Sequence, residues 1–216
     1  MELFISIDGV LRNTIQKFDY HYKDYFFNTE SPSEETFEYG INEPIYNDNL
    51  FNSYKFQSYD EFIKFTYFDF PIEIYGHAGL SYHQSCTELN SLIFENPHIN
   101  VTLIGHTEKG KGKPATLFFL SKNGVMCDSI RFVSLDKMNK LWNECDLWIT
   151  DNKEIINSCP KNKKVIKFNT PYNNHFTNSI EINKLSQINK ECLKYSEKTI
   201  TSTLMGLLQN VKSKIQ

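Results

Sequence analysis

The chain opens on FISIDGVLRN, residues 4–13, an apolar run that ends abruptly in an acid and a glycine. Phe4, Ile5 and Ile7 form a segment short enough, and apolar enough, for a strand buried on both faces of a sheet. Asp8-Gly9 then halts it. A buried strand with a carboxylate at its end is how a parallel α/β sheet brings a charged group to its carboxyl edge, where such sheets bind ligands. This segment restricts the fold more than any other in the sequence.

Four further runs share its form: VTLI at 101–104, IRFV at 130–133, LWI at 147–149 and VIKF at 165–168. Helical patterns lie between them. PATLFFLSK, 114–122, starts with proline at a first-turn position and stops before Gly124. Residues 136–145 carry Met138, Leu141 and Trp142 at helical spacing, and 81–95 place Leu89, Leu92 and Ile93 on one side. Strand and helix alternate, which predicts a doubly wound, parallel, five-stranded α/β sheet of Rossmann-like form. Asp8, the Gly105-His106-Thr107 turn and Asp151 all fall at the carboxyl ends of its strands.

The segmentation follows from this pattern. Residues 1–13 and 80–195 form the core, and 14–79 are an insertion between the first two core strands. Residues 196–216 are an amphipathic helix with Ile200, Leu204, Leu207, Leu208, Val211 and Ile215 on one side. The insertion is rich in Tyr and Phe. Ser58-Tyr59-Asp60-Glu61 has the form of a capping box that opens a helix, and residues 37–50 have the turn residues of a loop or hairpin. Two placements are open for it: a lid over the crevice, or a decoration packed to the side.

Charge narrows the partners. The net charge is −3, and the arginines are Arg12 and Arg131 alone. A nucleic-acid surface needs a basic stripe, and a bidentate phosphate clamp needs arginine; the sequence has neither. The aromatic run Phe18, Tyr20, Tyr22, Tyr25, Phe26 and Phe27 therefore reads as core or protein interface rather than as a base-stacking platform. The five cysteines (Cys86, Cys127, Cys145, Cys159, Cys192) contain no CxxC pair, which argues for reduced thiols and against a zinc knuckle. His77, His83 and His106 lack metal-site spacing. Gly110-Lys111-Gly112-Lys113 lacks the upstream glycine and following Ser or Thr of a P-loop. No targeting core precedes the first strand, and no run approaches the ~20 apolar residues that span a bilayer.

Taken in order, these segments resemble the haloacid dehalogenase superfamily, and within it the 5′(3′)-deoxyribonucleotidase-like branch. CDLWITDNKEII at 145–156 and VIKFNTPYN at 165–173 are similar to that branch's fourth motif and the strand and turn after it. GKPATLFFLSKNG at 112–124 and FPIEIYGHAG at 70–79 resemble bacteriophage proteins with this fold, some of them virion-associated. The resemblance implies a nucleophilic aspartate two residues before an acid/base aspartate, a Ser or Thr and a Lys for the phosphoryl oxygens, and acids that hold Mg²⁺. In this sequence the nucleophile position is Ser6 and the acid/base position Asp8. The hydroxyl position is Gly105, with Thr107 nearby. Lys113 takes the lysine role, in competition with Lys109 and Lys111. The paired acids read Thr150-Asp151.

A neutral hydroxyl with no base beside it is a poor nucleophile and gives a metal no charge. The expected site is thus a vestige: Ser6, Asp8 and Lys113 at catalytic positions, Gly105, His106, Thr107 and Thr150 lining the crevice, and Asp8 and Asp151 as the metal positions, with Mg²⁺ weakly bound or not bound. The expected function is a catalytically degenerate protein of this fold, a structural or interaction module of a phage. It would pair with itself or with phage structural proteins, away from membranes and nucleic acid, in the host cytoplasm or a virion. The alternative is a Mg²⁺-dependent phosphatase or 5′-nucleotidase acting on small phosphorylated metabolites.

Overall fold

In a computed structural model, residues 1–27, 50–106 and 109–188 are described. The expected helix at 196–216, Cys192, Thr107 and nearly all of the expected hairpin at 37–50 lie outside these residues. Strand β1 (Glu2–Ser6) is followed by a two-residue strand β2 (Arg12–Asn13) and helix α1 (Thr14–Phe27). After α2 (Leu50–Ser53) and α3 (Tyr59–Lys64), two π-helical turns (Phe65–Asp69, Ile72–Gly76) lead to β3 (Gly79–Leu80). The core then continues through α4 (Ser85–Glu95), β4 (Asn100–Gly105), α5 (Gly112–Lys122), β5 (Ser129–Phe132) and α6 (Leu135–Met138) with a 3-10 turn behind it. It ends with β6 (Leu147–Thr150), α7 (Lys153–Asn157), β7 (Lys164–Phe168) and β8 (Glu181–Ile182).

The main sheet has the order β5-β4-β1-β6-β7-β8, and all its pairings are parallel. All five expected strands are in it. The expected strand number was one short: β8 adds a sixth strand of two residues, too brief to leave a periodic mark in the sequence. The chain winds outward from β1 to β5 and returns to β6 on the other side of β1. The switch point of the sheet is therefore at β1 and β6, whose pairing sets Phe4 opposite Trp148 and Ile5 opposite Ile149.

Alternation along β1 divides the core. Leu3, Ile5 and Ile7 pack with Leu89, Leu103, Phe119 and Ile166. Phe4 faces the other way, with Trp142, Trp148 and Ile155. A third cluster belongs to the insertion. Phe18 and Tyr22 of α1 pack with Phe62, Phe65 and Ile74, so those expected core aromatics are core. Tyr20 and Tyr25 of the same run are exposed.

Local signals set the element ends. Asn13 opens α1, its Oδ1 accepting from the Gln16 amide at 3.2 Å. Ser58 caps α3 by accepting from Glu61 N at 3.1 Å, while the Glu61 carboxylate reaches back to Gln57 N, one residue before the cap. Gly124 stands at φ +60°, the left-handed stop after α5. Two helices are shorter than expected. Residues 81–84 form a turn before α4, and 136–145 split into α6 and a 3-10 turn.

Candidate functional site

Strand β1 ends at Ser6, and the chain folds back at once. Leu11 N and Arg12 N both donate to Ile7 O, and Gly9 N donates to Arg12 O at 2.9 Å. Gly9 takes φ +80°, and a Cβ placed there would fall 2.0 Å from Asp151 Oδ2. Only glycine permits this backbone and this approach of the Asp151 carboxylate. The turn sets Arg12 beside Asp8.

Arg12 is wholly buried. Its Nε and Nη2 both donate to Asp8 Oδ1, at 2.9 and 2.7 Å. Its Nη1 donates to Tyr75 O at 3.1 Å and to Thr116 Oγ1 at 3.0 Å. The guanidinium also lies over the rings of Tyr75 and Phe119. Thr14 Oγ1 donates to the same Asp8 oxygen. Burial raises the Asp8 pKa, but the charges of Arg12 and His106 and the hydrogen bonds from Thr14 and Arg12 outweigh it, and the net shift is downward. Asp8 is held as a carboxylate with one oxygen shared by three donor groups.

Ser6 belongs to a separate chain of hydrogen bonds. It donates to Thr150 Oγ1 at 2.8 Å and accepts from Trp148 Nε1 at 3.2 Å. Thr150 Oγ1 also accepts from Asn152 N at 3.2 Å, and Asn152 caps α7 through Glu154 N and Ile155 N. Ser6 and Thr150 are both buried, one on each side of the switch point. Among the described residues, no hydrogen bond joins Ser6 to a carboxylate or imidazole that could take its proton, so its hydroxyl is not activated.

The remaining expected residues divide. Asp151 sits against Gly9, and its carbonyl accepts from Asn173 Nδ2 at 3.1 Å. Gly105 ends β4 in contact with Phe132, whose ring a Cβ at Gly105 would meet at 3.0 Å. Lys113 is exposed on α5, its Nζ 5.8 Å from the centre of the same ring. His106 is half-buried and adds to the positive field at Asp8. Four residues that hold this site together were missed in the sequence: Arg12, Thr14, Thr116 and Trp148. Arg12 carried a usable signal, being one of two arginines and four residues from Asp8. Trp148 carried no such signal: its place opposite Phe4 is seen only in the structure.

Magnesium needs near-octahedral oxygen ligation, usually with one or two carboxylates turned toward the ion. Here the donors are a neutral hydroxyl turned toward Thr150, a carboxylate whose Oδ1 is occupied by a guanidinium, and Asp151. Among the described residues, no group of three or more His, Cys, Asp or Glu is placed to hold a metal. The set does not make a dedicated magnesium site. Among the described residues, too, no helix is long and apolar enough to cross a membrane.

Comparison with known proteins bears on the fold. No family model matches the chain, and no curated protein matches it. Among solved structures it is similar to a haloacid dehalogenase-like family hydrolase from Streptococcus pneumoniae. The match has a TM-score of 0.52 at 13% identity and covers 90% of this chain and 97% of the other. The chain therefore has a haloacid dehalogenase-like, Rossmann-like α/β fold.

Proposed function

We propose that this chain is a non-catalytic member of the haloacid dehalogenase-like fold, working as a structural or protein-interaction module. One observation carries the reading. The two positions where phosphoryl transfer would need a free nucleophile and a free acid are both occupied from within: Ser6 by Thr150 and Trp148, Asp8 by Arg12 and Thr14. Proton transfer in a reaction needs a group that can release its partner and meet the substrate. Asp8 would have to leave a buried guanidinium to do so.

The insertion supports the interaction half of the reading. Its inner rings form a packed core, and Tyr20, Tyr25 and Tyr59 are left exposed. Exposed aromatics on a rigid base suit a protein contact. The sequence resemblance to bacteriophage proteins makes virion proteins and a second copy of this chain the first partners to test.

The alternative, a Mg²⁺-dependent phosphatase or 5′-nucleotidase, draws on one observation. Asp8 is kept ionised, as a metal ligand must be. A panel of nucleoside monophosphates and p-nitrophenyl phosphate, assayed for phosphate release with Mg²⁺ or Mn²⁺, separates the two readings. No release above the uncatalysed rate is expected. Turnover that disappears in Asp8→Asn would overturn the non-catalytic reading.

A further inference from the structure

The loop that leads into α5 carries Lys109, Lys111 and Lys113, and all three are exposed. Among the described residues none of them forms an ion pair. Thr107 and Glu108, just before them, lie outside those residues. Like charges set so close repel one another. The turn itself needs glycine at Gly110, where φ is +52°, and does not need lysine on either side.

The structure seats this loop against the insertion. Lys111 N donates to Tyr67 O at 2.8 Å. A Cβ at Gly110 would fall 2.4 Å from Tyr67 O and 3.2 Å from Phe68 Cε2. Lys109 Nζ lies 5.3 Å from the centre of the exposed Tyr59 ring. The loop also forms the N-terminal end of α5, whose macrodipole adds positive potential there.

Beyond the lysines the surface turns apolar. α5 packs against both π-helical turns of the insertion. Phe68 of the first turn is 49% exposed, Ile72 of the second 38%, and Phe118 of α5 41%. Phe68 stands at the lysine end. Ile72 and Phe118 flank Gly76, where a Cβ would meet Phe118 Cδ1 at 3.0 Å and Ile72 Cγ2 at 3.6 Å. Single exposed apolar side chains are ordinary, but three from separate elements, gathered beside unpaired cations, form a surface suited to a partner.

Charge selects that partner and its direction. Asp69 is already paired with Lys64 at 2.6 Å. Glu73 is exposed next to Ile72. The surface thus runs from three unpaired cations, through apolar side chains, to an acid. A phosphate backbone needs cations along its whole track, and here they occupy one end only. We propose that this surface docks an acidic segment of a partner protein, its carboxylates at Lys109, Lys111 and Lys113 and a large apolar side chain over Ile72 and Phe118. α5 rises ~1.5 Å per residue, so Phe118 stands about 10 Å along the axis from Lys111. An extended segment covers that in about three residues, so the fitting sequence has an acid about three positions before an aromatic. This assignment rests on the interaction half of the proposed function and uses neither Ser6 nor Asp8.

The experiment is titration of the ¹⁵N-labelled full chain with the peptide acetyl-Glu-Glu-Ala-Phe-Ala-Leu-amide. Saturable shifts are expected at the backbone amides of Phe68, Ile72, Lys111 and Phe118. Lys109→Glu combined with Lys111→Glu should weaken binding by at least about tenfold, and Phe118→Ala by about fivefold or more. Phe94→Ala, exposed on α4, should leave it unchanged. Raising salt from about 0.05 to about 0.5 M should weaken it severalfold. If Phe118→Ala does not fold, Phe68→Ala takes its place. Non-saturating shifts, equal binding of the peptide with Lys for Glu or Ser for Phe, or unchanged affinity in the charge-reversed chain would overturn the assignment. So would tighter binding of single-stranded oligothymidylate or of anionic lipid vesicles. Light scattering should find a monomer; a dimer that the charge reversal dissociates would give the surface to a second copy instead. Tighter peptide binding after Glu34→Gln, Glu35→Gln and Glu38→Gln would give it to this chain's own acidic stretch. Phosphate release is a separate readout: turnover would sink the non-catalytic reading and leave the peptide shifts in place, whereas absent shifts without turnover would sink this surface alone.

Discussion

Arg12 directs two of its nitrogens, Nε at 2.9 Å and Nη2 at 2.7 Å, onto the single oxygen Oδ1 of Asp8, and both side chains are buried. The same guanidinium bonds Tyr75 O in the insertion and Thr116 in α5. One side chain thus ties the end of β1, the insertion and a core helix together. In this fold the carboxyl end of β1 is where a ligand would be met, and here a protein cation is built into it.

Arg12→Ala should destabilise the chain by about 3–5 kcal/mol, because it leaves a buried carboxylate without its counter-charge. Asp8→Asn combined with Arg12→Met, which removes both charges and keeps volume, should recover most of that loss. Urea unfolding of Asp8→Asn, Arg12→Met and the pair closes a double-mutant cycle. Additive losses would mean that the pair does not act as a unit.

The pH dependence follows from the same contact. Burial pushes the Asp8 pKa up, and Arg12, His106 and Thr14 bring it below the ordinary 3.8. A carboxyl held lower in the folded state than in the unfolded chain contributes stability above its unfolded value, and that contribution drains away as pH falls through the folded value. Urea midpoints should therefore drop on acidification below about pH 4. Glu88 is also held low: burial raises it, and hydrogen bonds from Ser186 and Tyr82 more than offset this. Asp8→Asn should accordingly flatten the acid slope in part. An unchanged slope would show that Asp8 has no lowered pKa.

The sheet was legible because burial on both faces leaves continuous apolar runs, and five such runs became β1, β4, β5, β6 and β7. The insertion was less legible. α1 carries Phe and Tyr at so many positions that its buried side, Phe18 and Tyr22, cannot be separated by period from exposed Tyr20 and Tyr25. The residues at the site divide in the same way. Asp8 and Asp151 were singled out from their places at strand ends, and Ser6 and Thr150 through the family resemblance. Arg12 entered the reading only as one of two arginines and was not placed beside Asp8. Here the Gly9 turn folds that pair into the interior, and a turn of that kind has no period to read.

Gly9→Ala should be among the most damaging single-methyl changes in the chain. Gly9 sits at φ +80°, and the added Cβ would lie 2.0 Å from Asp151 Oδ2. Strain in the left-handed region and forced movement of Asp151 together predict a loss above about 2 kcal/mol. At Gly79, the other end of the insertion, an added Cβ would meet nothing within 4 Å, so Gly79→Ala should be near neutral. Thermal melts of the two variants give the comparison, and equal losses would contradict this account of the turn.

Phe18 tests whether the insertion has a core of its own. Its ring centre lies 4.8 Å from that of Tyr54, 5.7 Å from Phe65 and 6.0 Å from Phe62. Phe18→Ala should cost about 3–5 kcal/mol, as for a fully buried aromatic ring. Tyr20→Ala, two residues away and exposed, should cost under about 0.5 kcal/mol. A small loss at Phe18 would mean that the cluster packs loosely and does not support its exposed rings.

Ser6→Asp asks whether the metal chemistry of the fold can be restored by one carboxylate. The new side chain would meet two donors, Trp148 Nε1 and Thr150 Oγ1, so the variant should fold. It would leave Asp8 bound to Arg12, and a divalent ion approaching Asp8 would still meet a guanidinium with nitrogens at 2.9 and 2.7 Å from Oδ1. Calorimetry should therefore detect no Mg²⁺ binding tighter than about millimolar in Ser6→Asp alone. Adding Arg12→Gln removes the resident cation and should tighten Mg²⁺ binding by at least about tenfold, with circular dichroism confirming that the double variant is folded. Equal affinity in the single and double variants would show that Arg12 is not what keeps a metal from Asp8.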